Sequence, residues 1–324
     1  MKERNSKQSI LLFLKGVAMG AADVVPGVSG GTIAFISGIY EELIETIDKL
    51  NFSFFKYWKK EGFKATWKYY NLTFLTVLLS GILLSILSFA RIIGWLLENE
   101  PIIVWSFFFG LILASIHYIG KQISPWNFRV ILAILFATAI SYYITLAEPV
   151  ASPENNWYIF ISGFIAIIAM ILPGISGSFI LLLLGSYQVI IETLNQFSLS
   201  ITTLNWELFS TSVLRLVTFA IGAILGIKLF SKVLNWLFKN YKNPTLAILT
   251  GFMIGALNKI WPWKEVLSWR ENSQGDQVPF LEKSIFPTNF DGDPQIINAI
   301  IFAILGFLSI FILEYIARKK VKPQ

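Results

Sequence analysis

The 324-residue chain is 55% hydrophobic but only 14% charged, with a positive mean hydropathy, one histidine (His117) and no cysteine. Soluble domains are near a quarter charged, so the deficit points to the bilayer, and the missing cysteines exclude disulfides, thiolate chemistry and cysteine metal sites. One histidine leaves little for histidine catalysis or metal binding, no cofactor is called for, and the net charge of +6 reads as cytoplasmic loops rather than a nucleic-acid surface.

The N-terminus imitates a signal peptide, with Lys2, Arg4 and Lys7 before an apolar run from Ile10 to Ala18-Met19-Gly20-Ala21. Cleavage is not expected, because the segment is repeated far from any terminus. The apolar elements follow in order. A broken pair, 10–25 and 31–47, flanks Pro26-Gly27. Spans are predicted near 72–97, 101–119 and 129–147. A second broken pair, 157–172 and 178–194, flanks Pro173-Gly174, and further spans are predicted near 210–236, 244–260 and 295–316. Between the first pair and the first span, Lys56, Lys60, Lys64 and Lys68 recur every four residues among Phe52, Phe55, Phe63 and Trp67, a pattern for a helix lying on an anionic membrane surface. The polar 261–294 stretch has four prolines and no motif, and its Trp261, Trp263 and Trp269 are expected at the outer interface.

The two broken pairs are copies. Pro26-Gly27-Val28-Ser29-Gly30 returns as Pro173-Gly174-Ile175-Ser176-Gly177, and at the same offset of 147 ten of the 21 positions from Pro26 to Thr46 are identical. Gly38 meets Gly185, Tyr40 meets Tyr187, and Ile44-Glu45-Thr46 meets Ile191-Glu192-Thr193. At an offset of 141, Gly81, Arg91, Trp95 and Gly110 meet Gly222, Lys232, Trp236 and Gly251. The chain is a duplicated unit with halves of 1–150 and 151–324.

Basic residues set the orientation. The lysines of both flanks of the first pair place it as a hairpin that enters and leaves on the cytoplasmic side, while the acidic 98–100 and 148–156 stretches fall outside. The second pair, with no Lys or Arg between 195 and 207, returns to the outside, and Arg318-Lys319-Lys320 ends inside. The expectation is an all-α polytopic membrane protein of two inverted repeats, each a re-entrant helical hairpin plus three transmembrane helices, with both termini cytoplasmic. Inverted repeats with discontinuous helices are a transporter signature. A rival scheme, eight full crossings in parallel repeats, would put the six-lysine segment outside.

Proline ends the incoming helix, glycine permits the reversal, and a new helix N-terminus follows whose first amides favour negative charge. Ser29, Gly30, Gly31 and Thr32, and likewise Ser176, Gly177 and Ser178, are therefore candidates to bind an anion; a simple capped turn is the plainer alternative. Ionisable groups in spans cost about 2.5–3.5 kcal/mol on insertion scales, which makes them functional candidates. Asp23, whose counterpart is Met170, would bind a coupling proton or cation such as sodium, or act as a local cap. Arg91 and Lys232 would pair with the anion or reach to headgroups, with Arg215 and Lys228 behind them. Glu45 and Glu192 recur at hairpin ends, as coupling groups or as solvated helix ends. His117 is read as structural.

Asp23-Val-Val-Pro-Gly-Val-Ser-Gly-Gly-Thr32 with Gly38-Ile-Tyr40, and Leu172-Pro-Gly-Ile-Ser-Gly-Ser178 with Gly185-Ser-Tyr187, resemble the paired signature of the bacterial polyprenyl-phosphate transporter (PopT) family over nearly the whole chain. The resemblance implies a plasma-membrane flippase that returns undecaprenyl phosphate from the outer to the inner leaflet for cell-wall polymer synthesis, with no enzymatic activity. Two rivals stay open. An undecaprenyl-diphosphate phosphatase has a related Pro-Gly-x-Ser motif, but its second motif places an arginine where Gly177 and Ser178 stand, and its glutamates precede the first motif, where this chain has none between Glu3 and Pro26. A small-anion channel or exchanger also uses helix N-termini around Ser-Gly loops.

Overall fold

The structure is a computed structural model describing residues 4–25, 28–51, 53–149, 155–271 and 277–319. Two antiparallel strands and thirteen α-helices make up the regular elements discussed below. The first copy contributes α1 (Ser6–Val24), α2 (Gly30–Ile36), α3 (Tyr40–Lys49), α4 (Ser53–Tyr69), α5 (Leu72–Asn99), α6 (Pro101–Gly120) and α7 (Phe128–Leu146). The second contributes α8 (Asn156–Ile171), α9 (Gly177–Leu183), α10 (Ser186–Thr203), α11 (Trp206–Asn240), α12 (Lys242–Ala256), a hairpin of β1 (Lys264–Glu271) and β2 (Gln277–Ser284), and α13 (Ile296–Lys319). Among the described residues, α5, α6, α7 and α11 are each long and apolar enough to cross a bilayer, and the bent pair α9–α10 would make a fifth. This is a multi-pass membrane protein.

The second arm of each broken pair differs from the expectation. Instead of single helices over 31–47 and 178–194, each arm breaks again, at Gly38 and Gly185, whose φ of +73° and +66° lie in the left-handed region that glycine enters without strain. In the second copy the two pieces meet at 105°. Segment 53–69 is also two short helices rather than one, folded at Gly62 (φ +82°), so that Tyr57 stacks on Tyr69 and Phe54 packs on Tyr70.

Helix pairing follows close backbone approaches. In α1 and α5, Gly16 lies against the carbonyl of Leu78 and Gly81 against that of Phe13; a Cβ at either would come within 2.3 Å of the oxygen. The same arrangement recurs in α8 and α11, where Gly163 faces the Phe219 carbonyl and Gly222 that of Phe160, at 2.4 and 2.1 Å. Small residues at helix contacts are how apolar helices associate in lipid, where the hydrophobic effect gives no drive. The remaining helices pair across the copies: α6 packs on α13 and α7 on α12.

The all-α expectation needs a correction at 261–294. Lys264 to Glu271 pairs with Gln277 to Ser284, a turn of polar, β-prone sequence that its prolines did not prevent, since Pro279 sits on a two-stranded edge ladder. Only Trp269 of the three tryptophans is exposed, at 58%. Trp261 Nε1 donates to the Ile285 carbonyl and Trp263 Nε1 to that of Pro294, and Trp263 is buried with Ile102 and Ala299. These indoles tether the hairpin to the starts of α6 and α13 rather than facing lipid.

Gly222→Val would drive two methyls into the Phe160 carbonyl and is expected to destabilise the α8–α11 pair by about 1–3 kcal/mol. The check is the midpoint of thermal aggregation in detergent, which should fall for Gly222→Val and hold for Ile224→Val, a change on the exposed face of the same helix.

Candidate functional site

The motif loops of the two copies touch in the interior. Ser29, the N-cap of α2, accepts from the Gly31 N–H at 3.0 Å and donates its hydroxyl to the Met170 carbonyl at 2.7 Å. Thr32 Oγ1 accepts from the Gly174 N–H at 3.0 Å, and Tyr40 donates from its hydroxyl to the Ile171 carbonyl at 3.1 Å. Ser29, Thr32 and Tyr40 are buried, at most 1% exposed. Gly31 is required for this approach, since a Cβ there would lie 2.4 Å from the Ile171 oxygen. Gly174, at φ +88°, has a Cβ position only 2.8 Å from the Phe252 carbonyl oxygen on α12. Pro26 and Gly27 lie outside the described residues; Pro173 is buried at the turn.

The two loops differ in what occupies their helix starts. In the first, the Asp23 carboxylate accepts from the Gly30 N–H at 2.6 Å, so the protein's own anion sits on the end of α2. The Ser29 hydroxyl and the Gly30, Gly31 and Thr32 amides are thus engaged within the fold. In the second, Ser176 caps α9 by accepting from the Phe179 N–H at 3.5 Å, and its hydroxyl shares a hydrogen bond with that of Ser178 at 2.8 Å. Among the described residues no carboxylate bonds to them, and Met170 occupies the place of Asp23. Gly174, Ile175 and Ser176 instead line a narrow cleft with Ser141, Thr145, Phe179 and Lys259.

The other candidates are dispersed. Glu45 pairs with Lys49 one turn on at 2.8 Å, and Glu192 is exposed on α10. Both belong to outer arms rather than to the motif loops. Arg91 belongs to α5 but its side chain lies outside the described residues; Arg215 is half-buried and Lys232 exposed on α11. Lys228 binds the end of α3, donating to the Ile47 carbonyl at 3.1 Å and to that of Asp48, whose carboxylate also accepts from Asn235 at 2.6 Å.

Lys259 was within reach of the sequence reading and missed. It is a charge at the end of an otherwise apolar predicted span, the kind of outlier that marks function in a membrane. Lys264 and Glu282 carried no such signal, because only the hairpin register brings them to Lys259. Lys259 and Lys264 lie 3.5 and 3.6 Å from the same Glu282 oxygen. Burial pushes the Lys264 ammonium down to about 8 against the pull of Glu282. Glu282 is held below its usual range: burial alone would raise it, but the two lysines outweigh that.

Residues 19–278 match the family described as VCA0040-like, undecaprenyl phosphate translocase-like. A polyprenyl-phosphate transporter of Vibrio cholerae serotype O1 is 47% identical over 279 residues, 86% of either chain. A polyprenyl-phosphate transporter of Staphylococcus aureus is 31% identical over 262 residues, 77% of this chain and 85% of its own. No solved structure matches the chain. With most of its length inside the family match and both motif loops at the centre of its fold, the chain belongs to the VCA0040-like, undecaprenyl phosphate translocase-like family.

Proposed function

We propose that this protein is a transporter of a polyprenyl phosphate, undecaprenyl phosphate or a close relative, returning it from the outer to the inner leaflet of the bacterial plasma membrane. The head is held at the motif loops while the apolar tail stays among bilayer lipids, and no bond of the substrate is made or broken. In this reading residues 1–150 and 151–324 are inverted repeats, their broken pairs are re-entrant from opposite faces, and both termini are cytoplasmic. The observation that carries it is the direct contact of the two loops through Ser29, Thr32 and Gly174, since irregular backbone at membrane depth persists only when buried in protein or lining a path. The relatives named for this transport support the substrate class.

The carboxylate of Asp23 gives the coupling reading a physical form. It occupies the Gly30 amide that a phosphate would otherwise use, so a proton or a cation such as sodium that withdrew it would open the first loop. The hydroxyls divide by role: Ser29 holds the loops together, whereas Ser176 lines the cleft with Ser178 hydrogen-bonded to it.

Depletion of the protein, with redundant transporters deleted, should enlarge the surface-exposed undecaprenyl phosphate pool, read with a headgroup-binding probe; an unchanged pool rejects the transport reading. In proteoliposomes, Ser176→Ala together with Ser178→Ala should slow lipid translocation by about tenfold, the scale of one lost hydrogen bond to a charged group. Asp23→Asn keeps the shape and an acceptor for Gly30 but removes the charge. It should leave the protein monodisperse yet slow translocation by about tenfold, one lost charge-assisted contact; full activity would exclude Asp23 from coupling.

A further inference from the structure

Two ammonium groups share one carboxylate oxygen beside the second motif loop, leaving a positive charge in excess. Neither lysine is in open water, their side chains being 16% and 7% exposed for Lys259 and Lys264. Among the described residues Lys264 Nζ has no partner closer than Glu282 at 3.6 Å; it lies 3.5 Å over the Trp105 ring, and Lys259 Nζ lies 4.8 Å over that of Phe179. Aromatic faces offset part of the desolvation of a cation, and a second anion would offset more. Lys259 also lines the cleft that Ser176 enters. Of the two hydroxyl protons of Ser176 and Ser178, their mutual hydrogen bond uses one, so the other can turn to an anion.

We propose that Lys259, backed by Lys264 and joined by the Ser176–Ser178 hydroxyl pair, is the seat of a phosphomonoester head, so that the phosphate binds at the second motif loop and not equally at both. This rests on the transporter reading for the lipid source of the phosphate, but not for the anion chemistry. The first loop opposes an anion with Asp23, and the residue matching Lys259 at the offset of 141 is Tyr118. Duplication supplied two similar loops, and the charges assign them different tasks. The cleft now has room for about one water, so seating a phosphate requires the Phe179 ring and Lys259 to part. An apolar cavity of about 330 Å3, lined by Phe109, Leu257, Trp261 and Phe286, begins across Asn258, which also lines it and donates to Thr145 of the cleft at 2.7 Å. That cavity suits the first isoprene units next to a phosphate held at Lys259.

The test is isothermal titration of the detergent-purified full chain with three probes: a polyprenyl monophosphate in mixed micelles, the neutral polyprenol of equal length, and inorganic phosphate alone. Lys259→Gln should weaken monophosphate binding by about tenfold or more, Lys259→Arg should stay within about threefold, and Glu282→Gln should tighten it. Polyprenol should bind Lys259→Gln and the unaltered protein alike. Monophosphate binding by monodisperse Lys259→Gln within about twofold of the unaltered protein overturns the proposal, even if translocation persists and the transporter reading survives. Conversely, Lys259-dependent binding of inorganic phosphate with no gain from the polyprenyl chain supports the seat and rejects the lipid. Binding of neither phosphate rejects both. Should Lys259→Gln fail to fold, Glu282→Gln decides by sign: unchanged or weaker phosphate binding overturns the seat.

Discussion

Everything in the centre of this protein depends on the need to satisfy broken backbone in a place without water. An unpaired peptide group in hydrocarbon costs several kcal/mol, so a helix can stop at Pro-Gly inside a membrane only if something answers the exposed groups. Here side chains of the first copy answer the second loop. The Met170 and Ile171 carbonyls, freed near the end of α8, receive the Ser29 and Tyr40 hydroxyls, and the Gly174 amide finds Thr32. Ser29 and Thr32 are therefore fixed first by the fold and only then available to a ligand. The glycines serve the same end, since Gly31 lets the start of α2 press against the Ile171 carbonyl without a Cβ between them.

Within that shared frame, the two loops differ in charge. A protein anion on one helix start and excess cations at the other form an electrical polarity across two loops of nearly the same sequence. In the proposed reading, Asp23 would lower the affinity of the first loop for phosphate by charge and by occupation. Lys259 and Lys264 would raise that of the second. A symmetric pair of strong anion sites would hold a phosphate too tightly to release it; unequal sites, one of them closed by a removable carboxylate, allow capture on one side and release on the other.

Much of this was legible because membrane helices write themselves as long apolar runs. The predicted spans at 72–97, 101–119, 129–147 and 210–236 coincide with α5, α6, α7 and α11 to within a few residues. The motif glycines and serines pointed to the loops because identity across a duplication singles them out. Gly38 and Gly185 carried the same signal and were read only as matches, although a glycine shared by both copies in mid-helix is a request for positive φ. The β-hairpin was hidden because its strands are rich in polar residues and carry a proline, and its tethers, the Trp261 and Trp263 indoles bonded to Ile285 and Pro294, join positions that no local pattern links. Lys264 and Glu282 were hidden for the same reason. Pairings such as α6 with α13 cannot be read from periodicity at all.

Those exchanged pairings constrain how the protein can move. In α6 and α13 the backbones nearly touch, a Cβ at Gly110 falling 1.8 Å from the Ala303 oxygen; in α7 and α12, one at Gly251 falls 2.5 Å from the Ile134 oxygen. Residues 1–150 and 151–324 therefore cannot rock as two blocks without parting both close contacts, each of which spans the copies. The pairs α1–α5 and α8–α11 lie wholly within one copy and carry the broken arms, so any relative motion that preserves all four tight pairs would have to take place between these and the α6–α13 and α7–α12 frame. The first motif loop is tied to α8 through Met170 and Ile171, while the second rests against α12 through Phe252 and Met253 and is faced by Lys259 from the turn beyond α12. Sliding α8 and α9 along α12 would widen the cleft at Lys259 and, through the same displacement, draw Met170 away from Ser29. In that geometry, opening the proposed cationic seat and loosening the first loop would be one movement.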